Sequence, residues 1–222
     1  MADFARYLPL SQRSGFDERG VTSDRREPTA IVLRAIAAAV RAGGDAGWSA
    51  STGELPPAVP TAIAELMAGF DRAPARRAFE TAQHALGMSP REGDAEVTVE
   101  GANDAAAALD ARAVTITERP RPTRLVELDD AVVAAVRIGD ALGRPIAVPP
   151  LASGAVALRR AAAAPTPIRA VISGHSLHAT DAGWTIGHGP VLVGTAHELI
   201  RFLAGIGDHA PRSARPGELG DA

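Results

Sequence analysis

Val32, Leu33, Ile36 and Val40 return every three or four positions, the spacing that gathers side chains on one face of an α-helix. Thr29 is a candidate N-cap and Gly43–Gly44 a stop, so TAIVLRAIAAAVRAGG predicts a helix. After a loop holding Trp48 the same period recurs at Ile63, Leu66, Met67 and Phe70, in PTAIAELMAGF. A third helix with a mostly alanine face is expected over 75–86, ended by Gly87 and Pro90. Between 88 and 122 two periods compete: AEVTVEG and AVTITER alternate like short strands, whereas DAAAALDARA between them favours a helix. TRLVELDDAVVAAVRIGDALG is long and apolar on one side, at Leu125, Val126, Val132, Val133, Val136 and Ile138, with Gly143 as its stop. Pro149 and Pro150 then open LASGAVALRRAAAA, a further helix that Pro165 and Pro167 end.

The pattern changes after Pro167. IRAVISGHSLHATDAGWTIGHG alternates its side chains, breaks at Asp181-Ala182-Gly183, resumes at Trp184-Thr185-Ile186 and turns again over Gly187 to Pro190, which predicts a hairpin. VLVG adds a strand, and Thr195-Ala196-His197-Glu198 is a capping box opening the helix HELIRFLAG, with Gly205 at its end. This reading also disposes of a serine hydrolase at VISGHSLH. A nucleophile elbow needs a helix directly after the serine, and Ser176 is followed by strand and turn, with His178 where the motif has glycine. Ser176 is expected on the solvent face of a strand.

Composition narrows the chemistry. The chain of 222 residues, 46% hydrophobic with a net charge of −3, suits a soluble globular protein with no bias toward nucleic acid or anionic membranes. No run of about 18 apolar residues marks a membrane span, and the N-terminus lacks a signal-peptide pattern, so a cytoplasmic location is expected. There is no cysteine, which excludes disulfides, thiolate nucleophiles and Cys-zinc sites. All basic residues are arginine, so lysine-dependent phosphate loops and Schiff-base chemistry are excluded as well. The arginine and alanine excess fits a GC-rich genome of the actinobacterial kind. The expected organisation is a polar arm at 1–28, a helical bundle at 29–147, a small α/β unit at 148–209 and a disordered tail at 210–222.

Three stretches together resemble one family. TRLVELDDAVVAAVRIGDALGRPIAVPP is similar to the last bundle helix and exit loop of the mycothiol-dependent maleylpyruvate isomerase family, and GWTIGHGPVLVGTAHELIRFLAGI to its C-terminal domain. PTAIAELMAGF, preceded by Gly47-Trp48, resembles its second bundle helix. The resemblance covers most of 29–209. It implies an α+β chain, with an N-terminal DinB-like four-helix bundle followed by a small, sterol-carrier-like α/β domain.

In that family a metal in the bundle is held by a histidine of the second helix and by a Glu and a His at i, i+4 on the last bundle helix, one face of a helix sharing one ion. The resemblance places these positions on Glu65, Asp130 and Ala134, and the family's closing arginine on Ile206. Two acids and a methyl group suit a hard ion better than zinc, so thiol activation is not expected and mycothiol remains only what the family implies. No bound cofactor and no metal are expected. An alternative use of the same residues is a carboxylate cluster of Glu65 and Asp130 with Glu127 or Asp129, in which repulsion and burial create a general acid or base. Glu65 and Asp130 are thus the catalytic candidates, and Glu127, Trp48 and Trp184 the binding candidates. His175 and His178 are expected on opposite faces of a strand, with His175 and His188 facing across the hairpin as one pairing; His84 and His197 are read as structural. The leading expectation is a divergent member that binds a small organic molecule in the cleft between bundle and C-terminal domain, with metal-independent acid/base catalysis. A non-catalytic binding or regulatory protein and a metal- and thiol-dependent transferase or isomerase are the alternatives.

Overall fold

The computed structural model describes residues 23–49, 59–71, 101–207 and 209–215. The helix expected at 75–86, with His84, the strand-like AEVTVEG up to residue 100 and the arm over 1–22 lie outside them.

Helix α1 runs Arg26–Trp48. It starts three residues before the expected cap: Pro28, whose missing N–H costs nothing in a first turn, is accommodated inside it. Thr29 is buried within the helix, its hydroxyl donating to the Arg25 carbonyl at 2.7 Å. Gly44, at φ +58°, breaks the helical geometry at the predicted stop, but the chain resumes one more turn. Trp48 therefore ends a helix rather than lying in a loop, and its ring packs on the core. The N-cap residue is Arg25, and just before it the Asp24 carboxylate accepts the Arg26 N–H at 2.9 Å and Arg26 Nε–H at 2.8 Å.

The Arg26 side chain, aided by the backbone N–H groups of Arg26 and Thr123, holds the Asp24 carboxyl below its ordinary range. The unfolded chain takes up this proton first, near its ordinary value of about 3.9, so the Asp24–Arg26 interaction contributes fully above that pH and is lost as pH falls through the lower folded value. Asp24→Asn is expected to lower the urea midpoint near neutral pH, with the gap to the wild type closing below about pH 4. A gap that stays constant on acidification would show that the charge plays no part.

Helix α2 (Val59–Asp71) buries Ile63, Leu66 and Phe70 as expected from their spacing. Helix α3 (Ala102–Glu118) runs straight through AVTITE, which its alternation had suggested as strand. The residues that decide it are Ala105, Ala106, Leu109, Ala113 and Ile116, a helical stripe whose short side chains let α3 pack closely along α1, the most extensive helix pairing. Helix α4 (Leu125–Ala141) is buried at every position from Ala131 to Val136, so it is a central helix rather than a one-sided one. It touches α1 and α2 on one side, and helices α5 (Pro150–Ala162) and α7 (Ala196–Leu203) on the other. That encirclement is why its sequence reads apolar beyond a single stripe.

Between α5 and the sheet, Thr166–Ile172 forms a short helix, α6, where strand alternation was expected. Strand β1 (Ser176–Ala179) pairs antiparallel with β2 (Thr185–Gly187), the predicted hairpin, and parallel with β3 (Val191–Gly194). Part of the expected disordered tail also pairs: β4 (Arg212–Ser213) lies antiparallel to β3, giving the order β2-β1-β3-β4. Leu177 and Leu192 face each other in the sheet beneath Leu199, Ile200 and Leu203 of α7. The predicted capping box is present, with Thr195 accepting the Glu198 N–H and Glu198 accepting the Thr195 N–H. One apolar cluster extends from Ala30 to Leu203 and includes residues on both sides of 147. Among the described residues no helix is long and apolar enough to cross a membrane. The chain is an α+β protein in which seven described helices accompany a small four-stranded sheet.

Candidate functional site

The four acids singled out in the sequence are carried by α2 and α4, and each meets a different partner. Glu65 accepts a hydrogen bond from Arg137 Nη1 at 2.6 Å, an ion pair across the α2–α4 face with both side chains over a third exposed. Asp130 lies two turns away on the same helix as Arg137, its carboxylate against Gly69 of α2: a Cβ there would lie 3.5 Å from Asp130 Oδ2. Glu127 pairs with Arg119 at the end of α3 at 3.2 Å. Asp129 is buried on another side of α4, gripped by Arg160 of α5 through two bonds of 2.8 and 2.9 Å. Successive α4 residues point about 100° apart, and this is why neighbouring acids separate. Among the described residues no group of three His, Cys, Asp or Glu side chains gathers as a metal site. The carboxylate cluster is not assembled.

Glu65, Asp130 and Ala134, which the sequence singled out together, present two carboxylates and a methyl group. Glu65 already neutralises a guanidinium, and Ala134, 6% exposed, offers only a methyl group. Glu65 and Asp130 also lie at the α2–α4 contact, whereas the contacts with α5 and α7 are held by Asp129 and by Asp140.

That last acid was not legible. Asp140, in the final turn of α4, accepts from His197 Nε2 at 2.7 Å and from Arg201 Nε at 2.8 Å, both on α7. The capping box places His197 and Arg201 on one face of a helix, but nothing in the sequence links that face to a residue 57 positions earlier.

The tryptophans anchor structure. Trp184 Nε1 donates to Ser153 Oγ at 3.0 Å, Ser153 in turn donates to the Pro150 carbonyl, and the indole lies against Gly154, where a Cβ would approach it to 3.2 Å. The hairpin is thereby seated on α5. Ser176 is buried, not solvent-facing, and donates to the Gly189 carbonyl at 3.1 Å. His178 Nδ1 and Thr185 Oγ1 are 2.8 Å apart across the hairpin.

Comparison with known proteins identifies no relative: no protein-family model matches the chain, and no curated protein or solved structure does.

Proposed function

We propose that this chain binds a small organic anion on the α2–α4 face of a DinB-like bundle carrying a sterol-carrier-like C-terminal unit. It would be a divergent relative of the maleylpyruvate isomerases that works without metal. The observation behind this reading is the Glu65–Arg137 pair, half-exposed on the α2–α4 face. An ion pair this exposed contributes about 0–1 kcal/mol, so a ligand carboxylate can replace Glu65 on Arg137 at little cost. It gains two parallel hydrogen bonds where Glu65 makes one. Glu65 then acts as a gate on the guanidinium rather than as an acid or base.

Calorimetric titration with maleate tests this. Glu65→Gln, which frees Arg137, is expected to tighten binding several-fold, and Arg137→Ala to abolish it, with both variants retaining wild-type stability within about 1 kcal/mol. Binding indifferent to Arg137, or stoichiometric zinc in the purified protein, would reject the reading.

A further inference from the structure

Helix α5 turns one face into the protein and leaves another uncovered. Ala152, Ser153, Val156 and Ala157 are buried, and the two arginines of the helix, Arg159 and Arg160, both reach Asp129 of α4. On the outer side Leu151 is 88% exposed and Leu158 58%, the two most exposed large hydrophobic side chains among the described residues. Scattered singly, such residues are ordinary surface. These two are seven positions apart on one helix, about two turns, and so share a stripe. Half-buried Ala155 lies between them and exposed Ala162 beyond.

The stripe therefore reads Leu151, Ala155, Leu158, Ala162, in steps of four, three and four, the spacing of a helix seam in which leucine and alanine alternate. Such a seam is complementary to itself. When a second α5 lies antiparallel across it about a two-fold axis, position 151 faces 162 of the other copy and 155 faces 158, so every leucine meets an alanine. A parallel pairing would set leucine on leucine and alanine on alanine, leaving the alanine layers unfilled. The charges of α5 do not oppose the approach, because both of its guanidinium groups are drawn to Asp129. Antiparallel helices also place opposite dipole ends side by side.

We propose that this face of α5 pairs with the same face of a second copy of the chain, forming a two-fold antiparallel dimer. A four-residue seam covers less than the about 800 Å² per partner of a standard interface, so the pair is weak and exchanges rapidly. It shares no residue with the Glu65–Arg137 pair and does not rest on the ligand proposed there.

Sedimentation velocity of the full chain tests it. The weight-average mass is expected to climb from monomer toward dimer between about 10 µM and about 1 mM. Leu158→Glu, a charge placed at an exposed position where the fold tolerates it, should raise the dissociation constant by at least about tenfold. Cross-linking reads the register, and a chain without cysteine makes the result unambiguous. Leu151→Cys mixed with Ala162→Cys should form a disulfide-linked dimer under mild oxidation, whereas each variant alone should not, since like positions then lie about 16 Å apart along the helix axis. A chain that stays monomeric throughout that range, including one whose leucines bind lecithin vesicles instead, would overturn the proposal. So would cross-linking of either variant alone as readily as of the mixture.

Discussion

Gly189→Ala is expected to cost more than about 4 kcal/mol and to stop the C-terminal sheet from forming. The chain leaves β2 at Gly187 and must cross the start of β1 to reach β3 on its other side. At that crossing Gly189 passes so close to the preceding segment that an added Cβ would lie 2.1 Å from the Gly174 carbonyl oxygen and 3.0 Å from its carbon. Backbone atoms cannot swing aside as a side chain does. Gly189 also has φ +103°, which an L side chain rarely adopts, adding about 1–3 kcal/mol of strain. Gly174→Ala separates these two causes. Its φ is +74°, yet nothing lies within 4 Å of its Cβ, so it carries strain without collision and should cost only about 1 kcal/mol. Urea unfolding of both variants checks the contrast; equal losses would show that the crossing opens easily and that only φ matters.

The same crossing shows what the sequence could reveal. GHGP after a short alternating run announces a turn, and Gly187 to Pro190 do turn, but no local pattern says that the following strand will join β1 on the far side and in parallel. Local signals worked where the deciding interactions are local. The period of Ile63, Leu66 and Phe70, Pro150 at a first turn and the Thr195–Glu198 box each depend on residues within a few positions of one another. They failed where tertiary packing overrode local preference. Val114, Thr115 and Thr117 favour strand, yet the alanine stripe of α3 has a helix to pack on. Arg212–Ser213 has no strand propensity to notice and pairs because β3 presents an edge.

The candidate site divides along the same line. That α4 carries several acids was visible in LVELDD, but which way each one points depends on what surrounds the helix. Partners lying 72, 31 and 57 positions away from Glu65, Asp129 and Asp140 leave no trace in composition or spacing. Arginine abundance, which reads as genome bias, is in fact how this protein neutralises its acids at helix contacts: Arg119, Arg160 and Arg201 each take one on α4, and Arg137 of α4 takes Glu65 of α2.

Among those pairs, Asp129–Arg160 should be the one whose loss is most damaging. Asp129→Ala is expected to destabilise the protein by about 3–5 kcal/mol, because the side chains are only 7% and 18% exposed and the deletion leaves Arg160 buried without its counter-charge. Arg159 approaches the same carboxylate at 3.7 Å, so two guanidinium groups would be left facing each other. The deficit belongs to the orphaned charge rather than to the attraction, which yields a second expectation: Asp129→Leu combined with Arg160→Met should recover most of the lost stability. Urea midpoints of the single and double variants decide it. The pair ties α4 to α5, and α5 carries the Ser153–Gly154 seat of Trp184, so in a Trp48→Phe background the indole emission should report loosening at that seat before global unfolding. A single variant within about 1 kcal/mol of wild type would mean that Arg160 finds water by reorienting along its flexible stem. The α4–α5 contact would then rest on its apolar packing, with Asp140–Arg201 and Trp184–Ser153 as the polar ties left between helices and sheet.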